Sequence, residues 1–319
     1  MDLPINRTLA TEVILLGFSK HFKINLALFF VFLAIYIVTI SGNGFMVCVI
    51  IFCSHLHTPM YFFLCNLAFV DFFYSSSTVL KLLVDLLSSS GKTSITVCAI
   101  QVYFGIFLGG TECLLLVLMA YDRYVAICKP LHYPILMRWS ICFRLIALVW
   151  VSSFMTSVVP SLLMPVRVCN PNQMNHFVCE VLVVVKLSCD STEKNEIVMR
   201  FTSFISILFP FVFILLSYAC ILSSVFKIQS AGRSKAFSTC TSHVTVVTLF
   251  YGTALIMYCG PSSKYSPNFG KYISIFYAII IPMLNPLIYS LKNKEVTKIF
   301  LAIKPSSGCC KIKSVFSRE

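Results

Sequence analysis

Charge is scarce in this sequence. Only 12% of its 319 residues are Asp, Glu, Lys or Arg, and just 12 are acidic, where a soluble domain carries roughly 25% charged residues. That scarcity, beside 58% hydrophobic residues, excludes water as the main solvent of the chain. Long polar stretches are missing too, which leaves no room for a separate soluble domain. No nucleophile, base and orienting residue group together and no phosphate-cradling loop is present, so nothing points to an enzyme. Paired repeats, matching Gly/Pro-interrupted half-helices and rows of pore-lining charges are also missing, and a transporter or channel would show these. The formal net charge of +13 is scattered singly between apolar runs. It is read as headgroup contact and membrane topology rather than nucleic-acid binding.

What the chain does have is a succession of apolar runs, each long enough for the ~20 residues of helix that cross a bilayer. Helices are expected near 24–53, 58–84, 95–128, 140–163, 196–227, 236–259 and 269–291, an all-α bundle of seven transmembrane helices. A short amphipathic cytoplasmic helix is expected after the seventh. The organisation is then an extracellular N-terminal tail (1–23), a seven-transmembrane domain (24–291) and a cytoplasmic C-terminal tail (292–319). Pro59 suits a first helical turn, whereas Pro160, Pro210, Pro282 and Pro286 fall within or near the ends of spans and are read as kinks.

Orientation follows from the basic residues. Arg123, Lys129, Arg138, Lys227, Arg233, Lys235, Lys292, Lys294 and Lys298 follow helices three, five and seven, and fewer lie on the opposite side. The positive-inside rule puts the C-terminus in the cytoplasm and the N-terminus outside. Asn6-Arg7-Thr8, the sole Asn-x-Ser/Thr sequon, falls in the outer tail and makes Asn6 a candidate glycosylation site. The first 23 residues do not read as a cleaved leader, so helix one is expected to act as a signal anchor. Of the 15 Cys, those inside apolar runs, such as Cys48, Cys65 and Cys220, behave as small apolar residues.

Ionisable groups within a span are costly and therefore informative. Asp71 in helix two and Glu112 in helix three are such groups. Two readings stay open: a carboxylate pair that needs a cation or a shared proton, or packing polars hydrogen-bonded with Asn43, Asn285 and water.

At the end of helix three stands Met119-Ala-Tyr-Asp-Arg-Tyr-Val-Ala-Ile-Cys-Lys-Pro-Leu-His-Tyr-Pro134. Its Asp-Arg-Tyr resembles the rhodopsin-type receptor motif, and the extension through Pro134 resembles the odorant receptors, in the wording of their tetrapod-type class. Three further stretches carry the same resemblance: Leu56-His-Thr-Pro-Met-Tyr through Asp71, Lys235-Ala-Phe-Ser-Thr-Cys-Thr-Ser-His243, and Pro282-Met-Leu-Asn-Pro-Leu-Ile-Tyr through Asn293. With Gly42-Asn43 they cover nearly the whole chain in order.

The resemblance implies that Asp122, Arg123 and Tyr124 take part in G-protein coupling, with Arg123 meeting the G-protein once helix six swings out. Tyr218 and Tyr289 would support that state, and Asn285-Pro286 would kink helix seven. Cys98 would pair with Cys179, and Cys169 with Cys189. The family's ligand pocket falls on Gly105, Ile106, Gly109 and Gly110 of helix three, Thr202, Ser203 and Ser206 of helix five, and Tyr251, Ala254, Leu255 and Tyr258 of helix six. Tyr258 is expected to offer the ligand its principal hydrogen bond. Two alternatives stay open: Gly105-x-x-x-Gly109 as a helix-packing motif, and the hydroxyls as helix-helix bridges. Monoamine receptors have a carboxylate where Gly105 stands, so an amine ligand is disfavoured. His176-Phe-Val-Cys179-Glu180 also reads as a transition-metal site, unless Cys179 is in a disulfide and has no thiolate to give. The function implied is binding of a small volatile molecule and activation of a stimulatory heterotrimeric G-protein through cAMP, with membrane lipids as the other partner and no cofactor. A related receptor for an endogenous metabolite is the alternative.

Overall fold

The structure is a computed structural model that describes residues 9–88, 90–163, 167–189, 192–226, 230–259 and 268–291. For 161, 163, 192–196, 198–200, 203, 230–239, 258, 259 and 291 only the backbone is described. Asn6, the expected C-terminal amphipathic helix, the rest of the tail from 292, and the side chains of Ser203 and Tyr258 thus lie outside the described residues.

Among the described residues, seven helices are long and apolar enough to cross a membrane. They are α1 (Phe22–Phe52), α2 (Pro59–Ser88), α3 (Ile95–Cys128), α4 (Trp139–Ser153, running through a π-turn at Phe154–Val158 into Val159–Leu163), α5 (Thr192–Val225), α6 (Ser230–Cys259) and α7 (Phe269–Ile275, a π-turn at Phe276–Ile280, then Ile281–Leu291). Their surfaces fit a lipid solvent. Phe30, Phe209 and Leu216 point outward, 61, 74 and 62% exposed, while Leu67, Leu115, Met119 and Val246 fill the interior. Because lipid tails are as apolar as these side chains, close packing and buried polar contacts hold the helices together.

The α1–α7 contact shows how a breaker is accommodated. Pro286 has no N–H for the Pro282 carbonyl one turn back; the Asn43 amide of α1 donates to that carbonyl instead, at 2.9 Å. Gly42 permits the approach, since a Cβ there would sit 3.0 Å from the Pro286 ring. Trp150 of α4 likewise donates to Asn66 of α2 at 3.3 Å.

Beyond the expected helices, and besides short helices at Tyr133–Leu136 and Val181–Lys186, a small three-stranded sheet sits at the end of the bundle where α3 begins. In it, β1 (Glu12–Leu15) pairs antiparallel with β2 (Lys92–Ser94) and parallel with β3 (Gln173–Met174). The stretch 1–23 is therefore not simply a tail. Val13 and Leu15 alternate inward and are buried, and Gly91 takes φ +55° where any Cβ would lie 2.1 Å from the Leu15 carbonyl oxygen. A strand of four residues whose partners lie about 80 and 160 positions away leaves almost no local periodic signal.

Candidate functional site

Two sites occupy opposite ends of the bundle. The first is a cavity of about 180 Å³ beneath the connection between α4 and α5. Its existence traces to missing side chains on α3. A Cβ on Gly109 would meet nothing within 4 Å, and one on Gly105 only Tyr74, at 3.8 Å. Gly105 and Gly109 thus vacate space rather than dock a helix, which removes the packing alternative for that pair. Gly110 differs, because its Cβ would fall 2.8 and 2.9 Å from the Ser157 and Ser153 hydroxyls of α4.

Of the residues the sequence suggested for the pocket, Gly105, Ile106, Gly109, Gly110, Thr202, Ser206 and Ala254 border this cavity. Tyr251 and Leu255 do not. Tyr251 is fully buried, stacks on Phe211 at 5.3 Å, and donates its hydroxyl to the Cys113 carbonyl at 2.9 Å. A phenol in an apolar interior goes to the nearest acceptor, and here that acceptor is α3 backbone. Leu255 packs against the main core. Spacing along the chain did not reveal Tyr74 and Thr78 of α2, Thr156 and Ser157 of α4, Glu180 of the connection, or Tyr277 of α7, all of which border the cavity.

The roof is built from 178–181 and pinned from several sides. Disulfides join Cys98 to Cys179 and Cys169 to Cys189, with Cα atoms 5.4 and 5.2 Å apart. Gln101 accepts from the Cys179 N–H at 3.1 Å and donates to the Ser77 carbonyl at 2.9 Å, tying the roof to α3 and α2. With Cys179 in a disulfide, the transition-metal reading of that motif has no thiolate. His176 is engaged elsewhere. Its Nδ1 accepts from Val178 N–H, so Nε2 carries the proton and donates to Ser274 of α7, both at 3.2 Å.

Burial lowers the His176 pKa from 6.5 to about 4, and the nearby Lys271 ammonium acts in the same direction. The sign of the consequence is fixed: as pH falls from 6.5 towards 4, the unfolded chain takes up a proton that the folded chain refuses. Stability is therefore full above about pH 6.5 and is lost towards pH 4. Thermal unfolding of the receptor in lipid discs between pH 7 and 4 checks this, and His176→Phe should flatten the slope. An unchanged slope in that variant would assign it to other groups.

At the other end, Asp122 is completely buried and holds both its neighbours. One oxygen accepts from Arg123, whose Nε lies at 3.0 Å, and the other from the Tyr133 hydroxyl at 2.8 Å. Burial and the Asp122 carboxylate raise the Tyr133 pKa, so it stays a donor. Tyr124 packs with Tyr218 against Ile221, Val225 and Cys240. His243, which the sequence supplied only as part of a motif, bridges three helices. It accepts from the Tyr218 hydroxyl of α5 at 2.6 Å and donates to the Leu116 carbonyl of α3 at 3.1 Å. Tyr289 is buried, and its hydroxyl meets no hydrogen-bond partner among the described residues.

Between the ends, the Asn285 amide donates to Asp71 at 2.8 Å, and Glu112 lies within electrostatic reach of Asp71 and Asn285. Asn43 serves α7, as described, and its carbonyl oxygen remains buried without a donor among the described residues. Asp71 Oδ1, both Glu112 oxygens and Asn285 Oδ1 are buried acceptors that no described donor reaches.

A roofed cavity at one end and an arginine held by a buried carboxylate at the other sit in a bundle with the seven-helix fold of rhodopsin. The comparison of folds agrees: the chain superposes on the crystal structure of squid rhodopsin with a TM-score of 0.70 over 95% of this chain and 93% of that one, at 18% identity. The family is narrower. The olfactory receptor family model matches residues 32–304, and the chain belongs to that family. It is 48% identical to mouse olfactory receptor 5AP2 over 92% of this chain and 93% of that protein. It is 44% identical to human olfactory receptor 13F1 over 92% of each.

The disulfide holding the roof gives a direct expectation. Removing a disulfide from a small secreted domain typically costs about 2–5 kcal/mol, so Cys98→Ser or Cys179→Ser should keep the protein from the cell surface. Surface staining of an N-terminally tagged receptor measures this, and normal levels in both variants would remove the pair from the account.

Proposed function

We propose that this chain is an odorant receptor that takes a small, weakly polar volatile molecule from the extracellular side and activates a stimulatory heterotrimeric G-protein, raising cAMP. The observation that carries the reading is the pairing of a cavity of about 180 Å³ under a disulfide-pinned roof with the cluster that Arg123 and Tyr133 form on the buried Asp122 at the other end of the bundle. In this reading the N-terminus and the roof face outward and the Arg123 end faces the cytoplasm, in line with the distribution of Lys and Arg along the sequence.

The ligand sits against Gly105, Ile106, Gly109 and Gly110, with Thr202, Ser206 and Ala254 opposite. An apolar lining with a few hydroxyls suits a ligand bearing one or two polar atoms. Ser203 and Tyr258 remain candidates from the sequence, and Tyr258 would donate to a ligand oxygen. Arg123 is the switch: it is satisfied by Asp122 in the resting bundle and by the G-protein once α6 moves away, which gives two discrete arrangements of one charged group. Tyr218 must leave His243 for α6 to move, and with Tyr289 it then supports Arg123. Asp71, which meets the Asn285 amide on one oxygen only, and Glu112 share a proton or hold a cation between them, and the Asn285-Pro286 kink couples them to α7.

A cAMP-reporter screen of the full-length receptor against a chemically broad panel of volatiles tests the reading. Responses confined to a set of molecules related in size and polar group are expected. Silence at full surface expression, with stimulatory G-protein present, would contradict it.

A further inference from the structure

A second, smaller cavity lies at the disulfide-bearing end, between the chain following β1 and the neighbouring ends of α1 and α2, and plays no part in the function proposed above. Its volume is about 40 Å³, space for roughly two or three non-hydrogen atoms at about 10–15 Å³ each. The walls are built rather than incidental. Phe18 is stacked between Phe32 and Phe177 at 5.5 and 5.2 Å. The adjoining turn is fixed by Gly91, whose carbonyl accepts from the Leu15 N–H at 2.8 Å.

Two buried acceptors border this space. Asn25, in the first turn of α1, is 6% exposed. Its amide nitrogen donates to the Ser19 carbonyl at 3.1 Å, which fixes the orientation of the amide and leaves Oδ1 buried with no partner among the described residues. Asp85, near the end of α2, is paired through Oδ1 with Lys81, while Oδ2 is buried and equally unmet. Buried acceptors are costly when unmet, and an ionised one more so. The space suits a group of about three heavy atoms or fewer that donates at least two hydrogen bonds; the flanking ammonium groups of Lys81 and Lys271 are held by Asp85 Oδ1 and the Gly17 carbonyl, and the second Asp85 oxygen favours a donor that carries positive charge.

We propose that this cavity is a second binding site, specific for a small primary ammonium ion such as ammonium or methylammonium. The site is separate from the larger cavity but adjoins its roof, because Phe177 forms its wall and the next residue, Val178, borders the first cavity. Occupancy thus bears on the segment that closes the ligand cavity.

Thermal unfolding of the purified full-length receptor in lipid discs tests this, with ammonium, methylammonium, tetramethylammonium and sodium chlorides compared at matched ionic strength. A ligand that binds only the folded state raises the midpoint as its concentration passes its Kd. A saturable rise is expected with ammonium and methylammonium alone. Asn25→Leu should abolish it, and Lys81→Met, which frees the Asp85 carboxylate of its partner, should shift it to several-fold lower concentration. An equal rise with tetramethylammonium, which has no N–H, or with sodium would overturn the proposal, as would no rise at all or one that persists in Asn25→Leu. Should Asn25→Leu fail to fold, Lys81→Met decides: tighter binding supports the site, and unchanged or weaker binding removes Asp85 from it.

Discussion

Arg123→Ala will abolish ligand-driven cAMP production while ligand binding in the cavity persists. The guanidinium is bonded to a carboxylate that has no exposure to solvent, and the proposed mechanism gives it an equivalent partner on the G-protein in the active state. Truncating one member of a buried, hydrogen-bonded charge pair at an interface costs about 2–5 kcal/mol, roughly thirtyfold to several-thousandfold in the coupling constant. Asp122 would not be stranded, since Tyr133 still donates to it. Arg123→Lys should remain severely impaired, because a lysine keeps the charge without the planar fork that meets two acceptors at once. Reporter output normalised to surface staining makes the measurement. Undiminished signalling from Arg123→Ala would remove that residue from the mechanism.

Gly109→Leu is expected to convert the receptor from larger to smaller ligands. Nothing lies within 4 Å of a Cβ placed at Gly109, so the side chain enters the cavity without displacing a helix, and the fold should tolerate it. For a ligand that fills the 180 Å³ space, the added carbons act as overpacking at about 1–3 kcal/mol, a loss of roughly 5- to 150-fold in potency. Shorter members of the same chemical series should lose little or gain, because the leucine replaces solvent against them. Gly110→Leu should behave differently. Its Cβ meets the Ser153 and Ser157 hydroxyls below 3 Å, so Ser153 must give up its bond to the Phe107 carbonyl while the leucine presses on α4, and all ligands are expected to lose response together. A uniform loss in Gly109→Leu as well would mean that Gly109 does not border the ligand.

The seven spans are legible in the sequence because an apolar run of ~20 residues suits a membrane-crossing helix and little else, and the placement of Cys98, Cys179, Cys169 and Cys189 follows from family pattern. Other features depend on neighbours that one sequence does not reveal. The strand Glu12–Leu15 exists only through partners near 92–94 and 173–174. Tyr251 and Ala254, both assigned to the pocket, separate because a buried hydroxyl turns to the Cys113 carbonyl while a methyl has no such preference. Residues of α2 and α4 join the cavity because the glycines of α3 open it in their direction, and composition along α2 or α4 carries no trace of that. His243 stands in plain sight within a recognised motif. Its role as a bridge between α3, α5 and α6 becomes visible only when those helices are assembled.

The central claim is that the roofed cavity and the Arg123 end are two sites on one two-state bundle. Linkage makes this measurable: if ligand favours the G-protein-binding state, the G-protein must raise ligand affinity by the same factor. Saturation binding of a labelled agonist to the purified receptor, with and without nucleotide-free stimulatory G-protein, gives that factor directly. A rise of roughly 5- to 150-fold, the usual range of allosteric coupling, is predicted for the native receptor, with none in Arg123→Ala. Equal affinity with and without G-protein in the native receptor would contradict the account.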